Sequence, residues 1–394
     1  MSDVTVLDLS RALPGPSASL VLADLGANVI KVEMPQDRSG IGRDLLSPAG
    51  LPPDEDERFL AHNSLARNKK SVAINVAVPA GREVLLRLLE SADVMMQNNR
   101  QKVARRLQID YATIHKLLPR LIYCNISGYG IGGPYEDRPG HAPNYASAVG
   151  MTSVEGDREG NIWGTGVLAV DYLVGLFSII GILAALRHRD LTGQGQLVDV
   201  AHTDSAMHCL HYYFARYFRD GSLPRRNRPN LNYMRTKDGK WLSLFNEFEP
   251  HYWSNFCHAI GRDDLVSKQR ARGAEWEELV DTVQEVMLTK TREEWLSILP
   301  LSETCVAPVL ELDEAASDPQ VLFREMVVEM EHPRFGKVRQ LGIPLKLSET
   351  PGQIHSFAPK LGEHTREILT GIGYQSGELE ELEQMGVIRM LKEQ

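Results

Sequence analysis

Short apolar runs alternate with helix-forming stretches through the first 127 residues, and glycine or proline stands at many of the junctions. Residues 4–9, 27–33, 71–75, 93–97 and 121–127 read as buried strands, and 17–25, 81–91 and 111–118 as the helices between them. Strands separated by helical crossovers cannot pair as hairpins, so they pair in parallel. A parallel sheet needs helices on both faces to bury its apolar side chains. The pattern therefore predicts an α/β fold built from repeated strand-helix-strand units.

A chain of 394 residues exceeds what one core usually organises, so a second domain is expected. The large domain is read over 1–210 and a linking segment over 211–230. A smaller α+β domain follows over 231–332, and residues 333–394 return to the first. Asp238-Gly239 marks a hairpin within the small domain, and one helix is expected from about 204 to 217. Tyr212, Tyr213, Phe214, Tyr217, Phe218, Phe245, Phe248, Tyr252 and Trp253 read as core or as the wall of an apolar pocket.

Net charge of −9, with no basic stripe interleaved with aromatics, argues against a nucleic-acid partner. Basic clusters at Arg67, Lys69, Lys70, at Arg100, Lys102, Arg105, Arg106, and at Arg225, Arg226, Arg228 are solvated faces or anion sites. Four cysteines without a Cys-x-x-Cys pair fit reduced thiols rather than a disulfide or zinc framework. His208 and His211 lack a third ligand at suitable spacing, so no metal is expected. The first residues carry no signal-peptide pattern, and the uncharged run 172–186 is too short to cross a bilayer. A cytoplasmic protein without membrane attachment is the expectation.

Asp171 is the residue to explain. It closes Gly164-Thr-Gly-Val-Leu-Ala-Val-Asp171 and precedes fifteen uncharged residues, as the one carboxylate between Glu159 and Asp190. Its side chain either caps the helix that follows or serves as a nucleophile or base. The glycines of 127–134 resemble a dinucleotide loop. Pro134 and a polar segment stand where a phosphate-binding helix should begin, so an active-site loop is the better reading.

Several motifs together resemble the family III CoA-transferases of the CaiB/BaiF type, a superfamily that includes the α-methylacyl-CoA racemases. The matching segments are Val6-Leu-Asp-Leu-Ser-Arg-Ala-Leu-Pro-Gly-Pro16, Ala23-Asp-Leu-Gly-Ala-Asn-Val-Ile-Lys-Val-Glu33 and Arg67-Asn-Lys-Lys-Ser71. Pro119-Arg-Leu-Ile-Tyr-Cys-Asn-Ile-Ser-Gly-Tyr-Gly130, Gly181-Ile-Leu-Ala-Ala-Leu186, Thr192-Gly-Gln-Gly-Gln196 and Leu361-Gly-Glu-His-Thr365 follow in family order.

The resemblance implies a Rossmann-like large domain, a small domain and an interlocked homodimer, or a heterodimer with a related subunit. It implies that Asp171 attacks an acyl-CoA thioester, passes through a mixed anhydride and carries CoA as an aspartyl thioester to a carboxylic acid. No tightly bound cofactor is implied, and CoA enters as the substrate's thioester. Arg67, Lys69, Lys70, Asn98 and Arg106 fall at the family's CoA-binding positions. Two departures stand out: Asn98-Asn-Arg-Gln-Lys102 replaces the usual Asn-Phe-Arg-Pro-Gly, and Leu13 replaces the glutamine of oxalate-handling members.

Gly140-His-Ala-Pro-Asn-Tyr145 resembles instead the histidine motif of the racemases, and Glu249-Pro250 their glutamate segment. The alternative function is thus a racemase or related isomerase with His141 and Asp171 as its acid/base pair and Glu249 in support. A partner subunit of a heterodimeric transferase is the second alternative.

Overall fold

The computed structural model describes residues 1–36, 53–154, 156–157, 159, 161–162, 167–224 and 230–391, with the side chains of 53–56 left aside. Gly164 to Gly166, at the head of the Asp171 run, and Arg225, Arg226 and Arg228 lie outside the described residues. The chain divides into two units, 1–152 with 164–223 and 324–394, and 153–163 with 224–323.

In the first unit, strands β1 (Thr5–Asp8), β2 (Asn28–Glu33), β3 (Lys69–Ile74), β4 (Val94–Gln97), β5 (Ile122–Ser127) and β6 (Leu197–Ala201) pair in parallel in the order 3-2-1-4-5-6. Helices α1 (Pro14–Asp24), α2 (Pro53–His62), α3 (Pro79–Leu89), α4 (Gln101–Leu107), α5 (Tyr111–Leu117), α6 (Ala142–Ala148), α7 (Ala169–Thr192), α8 (His202–His208) and α9 (His211–Asp220) connect and flank them. This is the doubly wound order, whose direction reverses between β1 and β4.

The strands read as continuous apolar runs because successive residues enter different cores. Leu7, Ile30, Met95 and Tyr123 join one cluster with Leu85 and Leu88 of α3. Their neighbours Val6, Val29, Val94, Met96, Ile122 and Cys124 join the other with Leu22 of α1 and Val174 and Ile182 of α7. A period of two on a sheet covered on both faces produces this division.

Helix α7 runs beyond the uncharged run 172–186 at both ends. By length and composition it could cross a membrane, yet half of its most apolar stretch is buried in the fold. Val170, Val174, Ser178, Ile182 and Ala185 face the core, whereas Tyr172, Leu176, Ile180 and Leu183 are exposed. The single helix expected from about 204 to 217 is two helices, broken at Cys209 and Leu210. No residue of α9 is buried, so Tyr212, Tyr217 and Phe218 are surface groups of this chain rather than core. The four cysteines are free, and burial pushes the Cys124 thiol up to about 12.

The second unit holds an antiparallel sheet of β7 (Tyr233–Arg235), β8 (Trp241–Leu244) and β9 (Val306–Pro308). The turn between β7 and β8 has Gly239 at φ 78°, as the Asp238-Gly239 pair predicts. Trp253 and Phe256 of α10 (Pro250–Ala259), Trp276 and Val283 of α11 (Ala274–Met287) and Trp295 of α12 (Arg292–Ile298) fill its core.

The chain then re-enters the first unit through the hairpin β10 (Val327–His332) and β11 (Gly336–Leu341). Ile368 and Leu369 of a helix over Thr365–Gly371 add to the sheet's core, and Ile388–Arg389 pairs antiparallel with β3.

Candidate active site

At the reversal point between β1 and β4, chains diverge in opposite directions and leave a crevice at the carboxyl ends of the strands. Asn98, just beyond β4, spans that crevice. Its Oδ1 accepts from the Arg11 amide at 3.0 Å, and its Nδ2 donates to the Arg11 carbonyl at 2.8 Å. Arg11 precedes Ala12, whose φ of 62° turns the chain toward α1.

A polar layer continues along the same edge. Asn125 Oδ1 accepts from Gln97 and Gln101, and its Nδ2 donates to Asp199 Oδ1 at 2.7 Å. Asp199 Oδ2 accepts from the Ile131 amide, and Glu136 accepts from the Gly132 amide. The amides at 131 and 132 in the glycine-rich loop are thus held by the protein's own carboxylates.

Asp171 sits at this edge as the third residue of α7, because α7 descends from the carboxyl ends of the strands to the start of β6. It is only 8% exposed. Its carboxylate does not cap the helix: Leu168 occupies the N-cap position, and Asp171 Oδ1 lies 3.0 Å from Nε2 of His202. His202 opens α8 immediately after β6 and is itself 7% exposed. Its Nδ1 lies 2.7 Å from the carbonyl oxygen of Ser127, the last residue of β5.

Tyr145 of α6 closes the other side of the imidazole, with ring centroids 4.8 Å apart. The phenol donates to the Gly140 carbonyl. Burial, with Tyr129 and Asp171 nearby, pushes the Tyr145 hydroxyl above its ordinary range. A Cβ on Gly128 would stand 2.4 Å from the Tyr145 ring, and one on Gly140 2.7 Å, so both glycines are required for the ring to lie where it does.

The other residues singled out from sequence fall in varied places. His141 is the exposed N-cap residue of α6, and its amide donates to Asn144 Oδ1 at 2.9 Å. Glu249 belongs to the second unit, exposed at the N-cap of α10. Arg106 is exposed in the last turn of α4.

Arg67 and Lys69 point inward. Arg67 holds Asp24 and the Leu341 carbonyl, while Lys69 Nζ donates to Pro16 O and Ser19 Oγ at 2.8 Å each. Burial, opposed by Asp8, brings Lys69 down to about 7. Lys70 is half-buried and pairs with Glu367 at 2.6 Å. With Lys69, Lys360, His355 and His364 it lines a cavity of about 540 Å³ near the start of β2 and β3. Among the described residues no cluster of His, Cys, Asp or Glu could hold a metal.

His202, Tyr145, Gln97, Asn125 and Asp199 were not reached from sequence. The signal for three of them was a polar residue set in an apolar strand: Gln97 ending Val-Met-Met-Gln, Asn125 within Ile-Tyr-Cys-Asn-Ile and Asp199 within Leu-Val-Asp-Val.

Strand order and site together define a doubly wound α/β protein with a buried carboxylate and imidazole at the carboxyl edge of its sheet. Residues 1–365 match the profile of CoA-transferase family III, and the chain belongs to that family. It is 32% identical over 387 residues to the succinyl-CoA–L-malate CoA-transferase beta subunit of Chloroflexus aurantiacus, covering 94% of each chain. It is 31% identical to the succinyl-CoA:glutarate CoA-transferase of Mus musculus, covering 98% of this chain and 90% of that one. A crystal structure of a CaiB/BaiF family protein from Brucella suis superposes with a TM-score of 0.79 at 26% identity, over 94% of this chain and 98% of the other.

Proposed function

We propose that this protein transfers coenzyme A from an acyl-CoA to a carboxylic acid, with Asp171 as the covalent carrier. The observation that supports this most directly is a carboxylate more than nine-tenths buried at the carboxyl edge of the sheet, held through one oxygen by an imidazole. In the reaction the other oxygen, Oδ2, attacks the thioester carbon, and the C–S bond breaks to give a mixed anhydride and CoA thiolate. The thiolate attacks the Asp171 carbonyl carbon, releasing the donor acid and leaving an aspartyl thioester. The acceptor carboxylate reverses these two steps, so CoA changes partner and Asp171 returns as a carboxylate. Protons balance without an external base.

The relatives named for succinyl-CoA favour a short dicarboxylic acyl donor. Lys70 and Lys360, at the cavity beside β3, and the exposed Arg106 are the cations proposed to receive the phosphates of CoA. An interlocked dimer is the proposed assembly, which the exposed apolar stripe of α7 supports.

The test is to incubate the protein with succinyl-CoA, quench with hydroxylamine or borohydride, and map the product by mass spectrometry. A modified Asp171 is expected. Exchange of CoA between acids with no adduct on Asp171, or with full activity in Asp171→Asn, would defeat the proposal. The racemase alternative is separated by heavy water: it requires deuterium at the α-carbon of a 2-methylacyl-CoA without an acceptor acid, and the transferase requires none.

A further inference from the structure

The tautomer of His202 can be read from its two contacts. The Ser127 carbonyl can only accept, so Nδ1 must bear a hydrogen and donate to it. The second nitrogen, Nε2, faces Asp171 Oδ1 at 3.0 Å. A bare ring nitrogen opposite an ionised oxygen would set two lone pairs against each other in a buried site. One proton therefore lies in that gap, and an imidazolium paired with a carboxylate leaves Asp171 ionised for attack.

We propose that His202 is the oxyanion donor for the chemistry at Asp171's own carbonyl. Its Nε2–H fixes Oδ1 and neutralises the charge that develops there when the Asp171 carbon is attacked. This rests on Asp171 acting as the carrier. In the anhydride, CoA thiolate adds to the Asp171 carbon, the C=O pair moves onto Oδ1 against the imidazolium, and collapse expels the donor carboxylate. In the second half, the acceptor oxygen adds to the same carbon, charge returns to Oδ1, and the C–S bond breaks. The proton stays with the His202–Oδ1 pair throughout. Oδ2, which has no such partner among the described residues, is left as the attacking oxygen.

The surroundings keep the imidazole in this role. Tyr145 from α6 packs on its face, Asp171 from α7 holds its edge, and Asp199 from β6 is engaged by Asn125 and the Ile131 amide. Asp204 on its own helix is exposed and accepts from Thr203.

The experiment compares His202→Ala and His202→Gln in the full-length protein, after circular dichroism shows that each is folded. His202→Ala is expected to lower kcat by about 10²–10³-fold, the loss seen when an oxyanion donor is removed, with KM for both substrates little changed. The adduct on Asp171 should still form from succinyl-CoA but drain slowly on addition of the acceptor acid. His202→Gln, which keeps a non-titrating N–H for Oδ1, should recover most of the rate. Wild-type kcat in His202→Ala overturns the proposal, as does a loss of rate in His202→Gln as deep as in His202→Ala. No adduct in the wild type would instead reject Asp171 as carrier, a separate outcome.

Discussion

Arg67 grips both oxygens of Asp24, Nε to Oδ1 at 3.2 Å and Nη2 to Oδ2 at 2.7 Å, with neither residue open to solvent. Asn68 donates to the same carboxylate and accepts from the amides of His355 and Ser356. Two residues thus tie the end of α1 to the returning segment of the chain. The family resemblance made Arg67 an expected CoA ligand, but its guanidinium is already engaged by Asp24 and the Leu341 carbonyl.

Arg67→Met should therefore act on stability. Leaving Asp24 buried without its cation is expected to cost about 3–5 kcal/mol in urea unfolding, while KM for the acyl-CoA changes less than stability does. A large rise in KM with unaltered unfolding would assign Arg67 to the CoA site instead.

Asp8 anchors a second buried cluster, accepting from Ser10 and Ser19 and lying 3.4 Å from Lys31. Burial alone would raise its carboxyl, but Lys31, Lys69 and the two hydroxyls outweigh that and hold it below its ordinary value. The folded state thus binds this proton less readily than the unfolded chain. Asp8's contribution is complete above pH 3.8 and drains as the pH falls through the lowered value. Asp8→Asn should lose about 3–5 kcal/mol at neutral pH, and its deficit against the wild type should shrink as the pH falls below 3.8 in acid titrations of unfolding.

Gly128→Ala tests the seat of Tyr145. The added methyl meets the ring and should force it off His202, at a cost of about 1–3 kcal/mol in stability and a clear fall in kcat. Tyr145→Phe, which loses the bond to the Gly140 carbonyl but keeps the ring, should cost about 1 kcal/mol and leave most activity. Equal loss in both variants would mean that the hydroxyl, not the ring's position, matters.

Leu176, Ile180 and Leu183 form an exposed apolar stripe on α7, and α9 adds Tyr212 and Phe218. On the proposed dimeric assembly, Ile180→Asp is expected to shift sedimentation toward the monomer. An unchanged mass in that variant and in Leu176→Asp would move the interface elsewhere.

Much of the sheet was legible because its information is local. Most of the parallel strands advertise burial by a mainly apolar run, and the crossovers by helix formers with proline or glycine near their ends. Asp171 was conspicuous for the same reason, as a carboxylate with no other for eleven residues on either side. The break at Cys209 was missed because helix-forming residues run through it. The exposure of α9 was missed because aromatic composition does not say which side of a surface a ring occupies.

The sequence by itself determined the doubly wound α/β fold, the family and the carboxylate at the head of α7. Only the tertiary structure decided what meets that carboxylate. His202 lies thirty-one residues downstream, and it reaches Asp171 because β6 runs parallel to β5 and delivers α8 to the same carboxyl edge where α7 begins. Arg67 and Asp24 meet across forty-three residues for a like reason, the pairing of β2 with β3. Such contacts depend on strand register and on where crossovers land, which no spacing along the chain encodes.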